Sequence, residues 1–198
     1  MSNRNSIIQR VASLVSNRIE GDTIHLIDSY LDSTVQKVCQ MIALNKPLGH
    51  EFLLTTETFD ESGMQLVQGL PEMRSFQEDE IDPRFVIQDR FHAFEVSIGS
   101  DTGNRASNRR IYPVGAFDSL SLADSHDSIY YYIENRNVYI SAPASMDLWD
   151  NTPSFKLTHY AYQTITGFPE VLEYLLIDEL VKLIPMEANR KERDEVRK

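Results

Sequence analysis

The side chains in this sequence with the best prospects for metal or proton chemistry are five histidines, His25, His50, His92, His126 and His159, a single cysteine, Cys39, and several groups of carboxylates. A structural zinc site needs His, Cys, Asp or Glu ligands at short spacings that converge on one ion. The histidines stand at no such spacing from one another or from Cys39. Asp124-Ser125-His126-Asp127 has metal-binding residue types, but these are also common turn formers and here they introduce a hairpin pattern. The stretch from Asp101 to Asn108 opens like a calcium loop, then places Gly103 third and Arg105 fifth with no closing glutamate, so it fails the ligand count. A phosphate-cradling glycine loop, a GxSxG nucleophile turn and a dinucleotide fingerprint are all missing. From its motifs the sequence yields no catalytic residue, no cofactor and no metal ligand.

The carboxylates are unevenly placed. Between Glu51 and Asp82 lie nine acidic residues, densest at Glu78, Asp79, Glu80 and Asp82, opposed only by Arg74. Two readings stay open: a solvated face that keeps the protein soluble, or a surface that repels nucleic acid or meets a basic partner. The formal net charge of −11 disfavours tight duplex binding over the whole surface. A local patch of Arg105, Arg109 and Arg110 would be the exception. One cysteine suits a reducing compartment and allows no internal disulfide. No apolar run approaches the length of a membrane helix, and the polar start, Met1-Ser2-Asn3-Arg4, shows no secretory signal.

Periodicity supplies the elements that would position any site. Ile7, Ile8, Val11, Leu14 and Val15 predict a helix over about 6–19. Ile24, Ile27, Leu31, Val35, Val38 and Ile42 predict a second, ended by Asn45, Pro47 and Gly49. Strand-forming residues follow over 51–59 and 64–67, then over 84–97, where Phe85, Ile87, Phe91, Phe94 and Val96 are the candidate core. The stretch 99–110 reads as a mobile loop, with a short helix expected after Pro113. Ile129–Ile133 and Val138–Ser141 flank a polar link and predict a hairpin, and a strand over 154–162 turns Phe155, Leu157, His159 and Ala161 to one side. A last helix opens at Pro169 and is expected to stop at Pro185. Its apolar residues cover more of the helix than one buried face needs, so it is either central to the core or packed on two sides. Residues 186–198 are almost all charged and predict a flexible tail. The fold class expected is α+β, with the N-terminal helical pair and the C-terminal helix forming a helical bundle that carries a β-rich insertion with hairpins, as a single domain over 1–185.

The order of these elements carries a resemblance. A helical pair is followed by a strand region, Leu70-Pro71, the hairpin from Ile129 to Ile140, a loop with Pro143, the tyrosine-bearing strand His159-Tyr160-Ala161-Tyr162 and a helix introduced by Phe168-Pro169-Glu170. This resembles the head–tail adaptor, or connector, proteins of tailed phages over about two thirds of the chain. The resemblance implies a non-enzymatic structural protein of the virion neck, assembled in the host cytoplasm. It implies a ring of twelve copies beneath the portal protein, joined to tail or neck proteins, with DNA passing through the channel without specific binding and no membrane involved. Under that reading Trp149, beside Leu148, would be exposed in a loop until a partner covers it. Arg190, Lys191, Arg193, Arg197 and Lys198 would form a tail that orders on the portal, and Glu78, Asp79, Glu80 and Asp82 would face the channel. The alternatives are another neck, tail-ring or tail-completion protein, a small intracellular enzyme with a scattered carboxylate site, and a nucleic-acid-binding module.

Overall fold

The computed structural model describes residues 3–16, 23–45, 50–77, 84–85, 90–98, 107–151 and 153–196. In chain order the elements are helices α1 (Arg4–Val15) and α2 (Thr23–Asn45), strands β1 (Leu54–Asp60), β2 (Gln65–Leu66), β3 (Met73–Gln77), β4 (Ala93–Ile98) and β5 (Ser107–Pro113), the short helix α3 (Leu122–His126), strands β6 (Ile129–Glu134), β7 (Asn137–Ser141) and β8 (Ser154–Tyr160), and helix α4 (Glu173–Val196). The chain is an α+β protein with a C-terminal helix. The span read as one domain is made of two compact units, a helical one built from Met1–Leu53 with Tyr162–Lys198, and a β unit, Leu54–Ala161, inserted between those halves.

In the helical unit, Asn3 caps α1 by accepting from the backbone N–H groups of Asn5 and Ser6. Ile7, Ile8, Val11 and Val15 of α1 are buried, as are Leu26, Ile27, Leu31, Val35, Val38 and Ile42 of α2 and Leu176, Ile177, Leu180 and Ile184 of α4. Charged side chains set how the helices lie along one another. Arg4 donates to Asp28 and Asp32 of α2, each at 2.7 Å. Arg10 pairs at 2.8 Å with Glu173, whose carboxylate is almost fully buried. Lys37 reaches Glu179 at 2.6 Å, and the Tyr30 hydroxyl donates to Glu187 at 3.0 Å.

That last bond bears on a correction. Pro185 does not end the helix: α4 runs through it to Val196. Proline removes one backbone donor and crowds the preceding turn, but Ile184 is fully buried and Glu187 is tied to Tyr30, so both sides of the proline are anchored. The charged segment expected to be a flexible tail is therefore helical as far as Val196.

The β unit is one sheet in the order β1-β8-β4-β5-β6-β7-β3-β2. All pairs are antiparallel except β5–β6. Strand β5 serves two neighbours, pairing through Ser107–Arg110 with β4 and through Ile111–Pro113 with β6. Residues 107–110, expected in a loop, are thus a strand, held by pairing with β4 while the polar side chains of Asn108, Arg109 and Arg110 stay exposed. The hairpin β6–β7 turns at Asn135 and Arg136, both with positive φ, as a two-residue turn of this kind requires.

In a flat sheet β1 and β3 would stand about 29 Å apart, six spacings of ~4.8 Å. Instead Phe59 of β1 and Phe76 of β3 meet edge to face at 5.4 Å between centroids. The sheet is curled, with Phe94, Val96, Ile111, Ile129, Tyr131, Val138, Ile140, Phe155 and Leu157 inside the curl.

Phe155 is fully buried and touches Phe59, Phe94 and Trp149. Phe155→Ala is expected to cost about 3–5 kcal/mol in chemical denaturation, whereas a loss under 1 kcal/mol would show that these rings do not hold the curl. In the helical unit, Lys37 and then Lys182 hold the Glu179 carboxyl below its ordinary range. A depressed folded-state pKa contributes stability above the unfolded value and loses it as pH falls through the folded one. The stability difference between the native protein and Lys37→Ala should therefore shrink as pH drops below about 4.

Candidate interaction surfaces

Exposed apolar side chains mark where a folded chain has surface to give to a partner. In the helical unit they gather where α4 begins. A 3₁₀ turn, Glu170–Leu172, leads into α4 and buries Leu172 and Leu176 while leaving Val171 78% and Tyr174 55% exposed. Across from them on α2, Met41 is 39% exposed. Together Met41, Tyr174 and Leu175 line a groove of about 280 Å³ between α2 and α4, with Asp178, Glu179 and Lys182 on its rim. The wide apolar girth of the last helix resolves into two parts: an inner stripe packed on α1 and α2, and this outer edge left uncovered.

Two of the recesses in the β unit bring charged side chains beside aromatic ones near strands β5 to β7. One, of about 440 Å³, is lined by Leu70, Met73 and Phe117 with the carboxylates of Glu72, Asp118 and Asp124. The other, of about 360 Å³, holds Arg109, Arg110 and Tyr112 beside Asp127. The Arg110 guanidinium lies over the Tyr112 ring, 5.8 Å from its centroid. Tyr112 contacts Tyr130, whose hydroxyl is 2.9 Å from His126 Nδ1.

Leu148 and Trp149 are not surface residues. The 3₁₀ turn Leu148–Asp150 folds both into the β unit, leaving Leu148 0% and Trp149 8% exposed. Trp149 donates from Nε1 to the Glu72 carbonyl at 3.1 Å, stacks on Phe155 and is covered by the Arg74 guanidinium at 4.9 Å. The expectation that a partner must cover this indole is corrected: its own chain does so, through a hydrogen bond and a cation–π contact that sequence spacing does not reveal.

Of the basic residues assigned to a docking tail, Arg190 lies on α4 and pairs with Glu187 at 3.6 Å. Lys191 and Arg193 lie on the last turns of the same helix. Arg197 and Lys198 fall outside the described residues, as do Glu78, Asp79, Glu80 and Asp82 and the third arginine of the suggested patch, Arg105. Arg109 and Arg110 do stand together, on β5.

His159 is buried, with Nε2 3.0 Å from Glu57 Oε1 and Nδ1 3.1 Å from the Tyr160 carbonyl. Nε2 joins β8 to β1 while Nδ1 is held by the backbone of its own strand, so both ring nitrogens are engaged within the β unit. Among the described residues no three of His, Cys, Asp and Glu converge as metal ligands, and no helix is long and apolar enough to cross a membrane. No protein-family model matches the chain, and no curated protein sequence matches it.

If the α2–α4 edge is an interaction surface, Val171→Asp with Tyr174→Asp should leave thermal stability nearly unchanged, since both side chains are exposed. The same pair should abolish association with any partner seated there. A fall of many degrees in melting temperature would instead place these residues in the protein's own core.

Proposed function

We propose that this chain is a structural virion protein, a head–tail connector adaptor that forms a ring beneath the portal and joins it to the tail, with DNA passing through the channel. The observation that carries this reading is the uncovered apolar surface where the C-terminal helix begins: Val171 on the turn that leads into it, and Tyr174 on its first turn, which shares a groove with Met41. A helix already packed on α1 and α2, yet apolar beyond its buried stripe, is what a subunit needs to hold its own fold and a neighbour at once. The order of elements that resembles the adaptor family supports the same conclusion, with α1, α2 and α4 read as the helical bundle and the β unit as its insertion.

In this function the chain does its work by contact. The long α4, continuing past Pro185 to Val196, would present Arg190, Lys191 and Arg193 to the portal. Glu78, Asp79, Glu80 and Asp82 would face the channel and keep DNA from adhering as it passes. Non-enzymatic action follows from the same reading, as do the virion neck as location and the host cytoplasm as the place of assembly.

The test is a virus lacking the gene for this chain. Heads should package DNA and then lose it, and they should carry no tails. Normal numbers of tailed, DNA-filled particles would overturn the proposal.

A further inference from the structure

The recess of about 440 Å³ in the β unit is a slot between two layers of the same chain. Ile140 points into the curl, so strand alternation turns the next residue, Ser141, to the outer side of the sheet. That side is covered there. Phe117, in the 3₁₀ turn before α3, stands edge-on to Tyr139 of β7 at 5.1 Å, and the Asp124 carboxylate of α3 accepts from the Ala144 N–H at 2.8 Å. Ser141 is left only 6% exposed, in register with Met73 of β3. Its backbone pairs with both β3 and β6, but its hydroxyl, on the wall of the slot, has no hydrogen-bond partner among the described residues. A buried hydroxyl without a partner is costly, and a group entering the slot can supply one. Three carboxylates line the same space: Glu72 half-buried, Asp118 and Asp124 exposed at the mouth. No cation among the described residues pairs with them, since Arg74 is engaged with the Pro71 carbonyl and the Trp149 ring.

We propose that this slot binds a linear aliphatic polyamine. The carboxylates do not converge as metal ligands, and a single ion would need them together at coordination distance. Charges held apart along an apolar wall fit a ligand whose own positive charges are held apart by methylenes. Met73 and Phe117 supply that wall. An alkylammonium has three N–H donors and no acceptor, so at the floor it donates to the Ser141 hydroxyl oxygen. The remaining charges of the chain meet Glu72, Asp118 and the Asp124 oxygen not spent on Ala144. One lysine or arginine side chain would answer one of these carboxylates and leave the others unpaired. The volume is that of a small-ligand site. This site goes beyond the connector reading and does not depend on it, because the slot lies within the β unit and needs neither ring nor portal.

The experiment is calorimetric titration of the full chain with spermidine at about 0.15 M salt, where loose counterion attraction is screened. Saturable binding of one spermidine per chain is expected. Ser141→Ala should weaken it about fivefold, and Glu72→Gln with Asp118→Asn about tenfold or more. Glu134→Gln, an exposed carboxylate at the far end of the β6–β7 hairpin, should change nothing. Asp118 is exposed and Glu72 half-buried, so the double variant should keep the native melting temperature and its loss of binding is not a loss of fold. Butylamine, with one charge on a similar chain, should bind at least tenfold more weakly than spermidine. No saturable binding, or an affinity that Ser141→Ala and the double variant leave unchanged, would overturn the site. Equal affinity for butylamine would overturn the choice of a polyamine as its ligand.

Discussion

The β unit depends on a cluster of rings that do what backbone hydrogen bonding alone cannot. Eight strands paired in series would make a wide sheet with two exposed edges and one naked apolar face. Phe59, Phe76, Phe94 and Phe155, joined by centroid distances between 5.4 and 6.5 Å, draw distant strands of that sheet onto each other. Once the sheet curls, its inner side is a core of apolar side chains, and buried His159 stays among them with both ring nitrogens hydrogen-bonded. The outward turn of Tyr112 and Tyr130 is a consequence of that inner packing. So is the burial of Trp149, which seals one part of the core through its stack on Phe155.

The helical unit solves a different problem. Three amphipathic helices can slide along one another unless something fixes their register. Here the fixing is done by long charged side chains at helix margins: Arg4 forked onto Asp28 and Asp32, Arg10 on buried Glu173, Lys37 on Glu179. Exposed pairs of this kind contribute little to stability singly, and their value lies in choosing one arrangement among several of similar apolar burial. Glu173 matters most, because a nearly buried carboxylate tolerates few alternatives to its arginine.

How much of this was legible in the sequence followed from how local the cause was. The helices α1 and α2, the β6–β7 hairpin and the inward alternation of Phe155, Leu157 and His159 all follow from spacing along one segment. What was missed depends on partners far away in the chain. Trp149 looked exposed because its cover comes from Glu72 and Arg74. Residues 107–110 looked like a loop because they are polar themselves and the apolar residues they pair with, Val96 and Ile98, are on another strand. Pro185 looked like a stop because the anchor beyond it, Tyr30, is in another helix. The strand β3 had no period of its own to announce it, being set by its pairing with β7. As for candidate surfaces, the excess apolar width of the last helix was visible in its sequence, but which residues stay uncovered emerged only once α1 and α2 had taken their share.

The central claim is that this chain acts by assembling on a portal through surfaces its own fold leaves open. The most direct measurement is the solution mass of the purified protein, alone and then mixed with the portal protein from the same virus. The account predicts a stoichiometric, ring-shaped complex that forms only with both components present. A chain that keeps its own mass in the presence of the portal, at concentrations well above those of an assembling virion, would contradict it.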